Sequence, residues 1–125
     1  MFKHYLDIVG KWAIIFAYDI NEKDLDEIAD WLEALGCYGE EIDHACRVIM
    51  RPNSGFTFSN PKLRMSVMCI SNATSAEQWW DSLVHEIKHA QSHICAYYDV
   101  DCDSEEASYL SGYIARLVFR ALKSD

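Results

Sequence analysis

The stretch from Thr74 to Cys95, TSAEQWWDSLVHEIKHAQSHIC, carries the strongest local signal in the chain. Thr74 and Ser75 are both good N-caps, and each has an acid or amide three residues on, Glu77 or Gln78. Trp80, Leu83, Val84, Ile87 and Ile94 then recur at helical spacing and make an apolar stripe. A helix striped in this way needs other elements to pack against. The remaining sequence supplies them in a definite order.

KWAIIFAYDI, residues 11 to 20, is bulky and β-branched and reads as a buried strand. NEKDLDEIADWLEALG follows as a helix, capped by Asn21, carried by Leu25, Ile28, Leu32 and Leu35, and stopped at Gly36. EEIDHACRVIM repeats the pattern through Ile42, Ala45, Cys46 and Ile49 until Pro52 and PNSG turn the chain. FTFS and RMSVMCIS, joined through NPKL, predict a hairpin. The alternation in the second run is imperfect, which predicts partial cover on both faces. After YYDVDCD, Asp103 or Ser104 caps a last helix bearing Ala107, Leu110, Ile114, Leu117, Val118 and Ala121. The expected class is α+β, with strands gathered before the final helical pair.

At 125 residues the chain fits a single domain, 1–125, with one core. Twenty acidic against eleven basic residues give a formal charge of -9, which opposes general nucleic-acid binding. No signal peptide is visible at the start, and WAIIFAY is too short to cross a bilayer, so no membrane partner is expected. Five cysteines form no recognisable framework and read as free thiols of a cytoplasmic protein.

Chemistry concentrates in the central helix. HEIKH places His85 and His89 one turn apart, so both imidazoles reach one ion, and Glu86 stands beside them. With zinc, Glu86 would act as general base toward a water on the ion and later pass the proton to the leaving amine. The plain alternative is a solvated helix face. A catalytic zinc keeps one position for water and needs a third protein ligand. His93 is eight residues from His85, about 12 Å along a straight helix, and cannot share that ion.

The last helix opens with DSEEASYLSGY. Glu106 lies on the face of Leu110, Leu117 and, roughly, Tyr113, whereas Glu105 lies with Tyr109, Gly112 and Arg116. Both stay open as the third ligand, beside the reading that each opposes the helix dipole, with Glu106 also able to close a capping box on Asp103. Tyr109 or Tyr113 could donate to a developing oxyanion, or simply pack between helices. A competing arrangement, His89, His93, Cys95 and Cys102, would make the zinc structural and chelation an unfolding event.

With MCIS, HEIKH and EEASYLSGY in this order, the chain resembles the zincin metallopeptidases, in particular small gluzincin-like proteins of bacterial, phage or mobile-element type. The resemblance covers roughly residues 56 to 120. It implies a minimal zincin-like α+β domain, with a small mixed sheet or hairpin packed on the motif helix and a C-terminal helix. It further implies a Zn2+ cofactor held by His85, His89 and Glu106, with Glu86 as general base, Tyr109 as helper and a peptide or protein as substrate. In such proteins the strand before the motif helix lies at the cleft edge, a place that RMSVMCI would take here. Only 16 residues separate His89 from Glu106, short for the larger gluzincins. That shortness raises the alternative of a zincin scaffold acting as a protein-binding module.

Overall fold

The chain is arranged as β1 (Phe2–Ile8), β2 (Trp12–Tyr18), a 3-10 turn (Glu22–Asp24), α1 (Leu25–Ala34), α2 (Glu40–Ile49), β3 (Gly55–Asn60), β4 (Met65–Ile70), α3 (Ala76–Tyr97) and α4 (Glu105–Ser124). This computed structural model describes residues Met1–Asp125. The four strands form one mixed sheet in the order β1-β2-β4-β3. β2 and β4 are parallel neighbours at its centre, and β1 and β3 pair outside them, each antiparallel to its neighbour. The class is the α+β one expected, with a motif-bearing helix and a C-terminal helix packed on a small sheet.

Strand periodicity sorts the core onto the two faces of the sheet. Ile14 and Phe16 of β2, Met68 and Ile70 of β4, and Leu6 and Ile8 of β1 face α3 and α4, where they meet Leu83, Ile87, Ala90, Ile114 and Val118. Ala17, Val67 and Cys69 point the other way onto Ile28 and Leu32 of α1 and Ala45 and Ile49 of α2. The sheet is thus enclosed between two helical pairs. That is why β2 and β4 read as nearly continuous apolar runs.

Local capping follows the sequence. Ser75 is the residue that caps α3, its Oγ accepting from the Gln78 N–H at 3.1 Å, and Ser104 caps α4 by accepting from Ala107 N at 3.2 Å. The acid at Asp24 closes back on the Asn21 N–H at 2.8 Å. All five cysteines are free.

Two features differ from the sequence expectation. RMSVMCI is not at the sheet edge: β4 is paired on both sides, and β3 is the edge strand beside it. The apolar character of both its faces belongs to a central strand. In addition, the chain begins with a strand that the sequence does not announce. β1 and β2 are joined by a tight turn in which Lys11 N donates to Ile8 O at 2.9 Å, and both central residues, Val9 and Gly10, have positive φ, 46° and 71°. Such turns ordinarily carry Asn-Gly or Asp-Gly, and a β-branched residue there hides the hairpin from sequence reading. Val9 is exposed, so its side chain contributes no core packing. Replacing Val9 with Asn should therefore stabilise the fold by about 1 kcal/mol, measured as a raised urea midpoint with unchanged m.

Candidate metal centre

β3 and α3 build the site between them. Along β3, Phe56 and Phe58 turn to the α1/α2 face, which leaves Gly55, Thr57 and Ser59 to face α3. α3 crosses this small, polar face with Glu86 over Gly55 and Thr57 and with His93 over Ser59.

Glu86 is only 4% exposed. Thr57 Oγ1 donates to its Oε1 at 2.8 Å. A methyl group on Gly55 would stand 2.6 Å from Glu86 Cγ and 3.0 Å from Oε2, so the carboxylate occupies the room that glycine leaves. A buried carboxylate held by a hydroxyl is tolerable where an unpartnered one is not.

The two histidines sit beside it on the exposed side of the helix. Their Nε2 atoms face each other at 3.0 Å, and the rings meet edge to face with centroids 4.6 Å apart. Ligand atoms of His85, Glu86 and His89 all lie within 4.8 Å of one another. Two bonds of about 2.0–2.1 Å at a tetrahedral angle hold their nitrogens roughly 3.3 Å apart, close to the separation found here. The spacing of the two nitrogens therefore suits shared coordination of one metal ion. An open cleft of about 290 Å3 adjoins His85 and Glu86, lined also by Asn53, Ser54, Gly55 and Asp81 among others.

Glu106 and Tyr109 are not part of this group. Glu106 is exposed on the first turn of α4 and stands outside the group of three. The Cys95 thiol is pushed up by burial first, then by Cys102 and Glu106, with Lys88 opposing. Cys95 is six residues past His89, about 9 Å further along the helix and well round from the face of the histidines. Tyr109 is 72% exposed, and neither residue lines the cleft. Glu105 is likewise exposed and outside the group. The four-ligand set of His89, His93, Cys95 and Cys102 is not gathered either.

What the sequence reading missed is the support behind the site. The indole of Trp12 donates to Ser66 Oγ at 2.9 Å, Ser66 Oγ lies 2.7 Å from Ser59 Oγ, and Ser59 Oγ lies 2.7 Å from His93 Nδ1. An indole N–H can only donate. The order that uses every hydroxyl proton therefore runs from Trp12 through Ser66 and Ser59 to His93, which puts the His93 proton on Nε2. The alternation of Thr57 and Ser59 against Phe56 and Phe58 was the available signal, since a polar strand face beneath a helix needs polar partners.

No family model matches the chain, and neither the curated proteins nor the solved structures give a significant match. No helix is long and apolar enough to cross a membrane. What the geometry establishes is an HExxH-like candidate metal cluster at His85, Glu86 and His89.

Gly55→Ala should force Glu86 away from Thr57 and lower stability by about 1–3 kcal/mol, read by urea denaturation. His93 has its pKa lowered from 6.5, first by burial and then by His89. The folded state therefore binds its proton less readily than the unfolded chain. The stability this contributes is complete above the unfolded value and is lost as pH falls through the folded one. The His93 Hε1 resonance should titrate with a midpoint below 6.5, and His93→Gln should flatten that part of the stability profile.

Proposed function

We propose that this site makes the protein a zinc-dependent peptidase of gluzincin-like type. The supporting observation is the convergence of two imidazole Nε2 atoms, 3.0 Å apart, beside a buried carboxylate held in place from the neighbouring strand. His85 and His89 would hold the ion, and Glu106 would complete the protein ligands through a shift of the first turn of α4. Bound zinc supplies Lewis acidity, polarising the scissile carbonyl and acidifying a water molecule.

The chain's own groups do the rest. Glu86 takes the proton of the attacking water and delivers it to the leaving amine. Thr57 and Gly55 fix the carboxylate's orientation, so little reorganisation is needed when substrate arrives. An extended peptide adds along the outer edge of β3, where main-chain hydrogen bonding positions it over the cleft. Tyr109 would need the same movement of α4 to reach the carbonyl oxygen.

A second reading is a metal-holding scaffold that binds a protein without cleaving it. That neither Glu106 nor Tyr109 lines the cleft favours it. Zinc titration and a broad peptide library separate the two. The peptidase reading expects about one zinc per chain, weakened at least ~10-fold by Glu106→Gln but not by Glu105→Gln. It also expects cleavage that falls by at least ~100-fold in Glu86→Gln while zinc stays bound. The scaffold reading expects silence across the library and zinc affinity that ignores Glu106→Gln. Protein purified without chelator and carrying no zinc would end both.

A further inference from the structure

A second pocket, about 590 Å3, opens beside the first turns of α3. Its walls are Phe2, Tyr18, Trp79 and Trp80, with Asp19 and Leu122 also in the lining. It lies where the two parallel strands end: Tyr18 and Asp19 close β2, and Asn72 and Ala73 follow β4. The crevice beyond the carboxyl ends of adjacent parallel strands is where sheets with this arrangement commonly accept ligands. Trp80 precedes His85 by five residues, about 140° round α3, so this pocket and the histidine cluster occupy different faces.

We propose that this pocket binds an organic cation of the quaternary ammonium class. The rings turn corners instead of lying in one plane: Tyr18 meets Trp79 at 75°, with centroids 5.7 Å apart, and Trp79 meets Trp80 at 89°, at 5.5 Å. Phe2 stacks on Tyr18 at 5.2 Å and extends that wall. Boxes of aromatic faces attract a cation through their ring quadrupoles, and tryptophan is the strongest contributor.

Charge points the same way. The lining includes one carboxylate, Asp19, and no lysine, arginine or histidine. Behind it, the Tyr18 hydroxyl donates to Asp125, and burial together with that bond raises the phenol to about 12, so the ring stays neutral. The amino-terminal end of α3 does not claim an anion here, because Ser75 already accepts from Gln78 N and Glu77 sits in the first turn. The overall charge of -9 further concentrates cations near the surface. Trp80 and Phe2 are 50% and 41% exposed, so two of the walls are accessible from solvent.

The test uses choline and its neutral isostere 3,3-dimethylbutan-1-ol on full-length, chelator-treated protein, followed by tryptophan fluorescence and calorimetry. Removing metal separates this site from the histidine cluster. Choline should bind saturably in the millimolar range or tighter, at least ~10-fold better than the isostere. Trp80→Ala should weaken choline at least ~10-fold with the far-UV spectrum unchanged, and Asp19→Asn about 3-fold or more. Asn at position 19 tolerates the positive φ of 55° found there, so that variant keeps the backbone. Equal binding of the isostere would mark the pocket as merely apolar and overturn the proposal. Absence of saturation, or choline binding indifferent to Trp80→Ala, would overturn it equally.

Discussion

The contact between Glu86 and the inner face of β3 is the constraint from which the rest of the site follows. A carboxylate at 4% exposure is costly unless it is hydrogen-bonded, and Thr57 provides that bond. Gly55 provides the space, since any side chain there would overlap Glu86. Fixing Glu86 fixes the rotation of α3 about its own axis. With that rotation set, His85 and His89 come out on the solvent side of the helix, and Leu83, Ile87 and Ala90 go into the core. Periodicity along one helix thus couples an apolar seam to a metal-binding face.

The same crossing is secured further along by a chain of hydrogen bonds running from the central strands to α3. Trp12 and Ser66 are buried in the sheet, and through Ser59 they reach His93, two turns beyond Glu86. Every buried side-chain polar atom in the structure has a partner. Satisfied polar networks of this kind select one packing arrangement over its neighbours, because a slip of register would leave several groups unpaired at once. Here the network and the Glu86–Thr57 bond tie the register of α3 to that of β3 at two separate points.

α4 serves a different purpose. It packs against α3 and β1 on the same face of the sheet, and its Ile114 and Val118 complete the core there. Glu106, in its first turn, is not gathered with His85, Glu86 and His89. The aromatic pocket lies at the other end of the pair, near the start of α3 and Leu122 of α4, and owes its shape to where β2 and β4 finish.

Much of this was legible in the residues themselves. The capped, striped stretch from Ser75 onward specified α3, and HEIKH specified that His85, Glu86 and His89 would share one region of it, because both follow from the helical repeat alone. Gly36 and Pro52 marked the helix ends near them for equally local reasons. The β1–β2 hairpin was hidden because its turn uses Val9 where the usual signal is Asn or Asp. The central position of β4 was hidden because strand order is a property of pairing, which no single strand encodes. The sequence by itself determined which side chains sit one helical turn apart. Only the tertiary structure decided which of them meet residues from other elements, because Thr57 and Glu86 lie 29 residues apart and contacts at such separation depend on how the sheet is assembled.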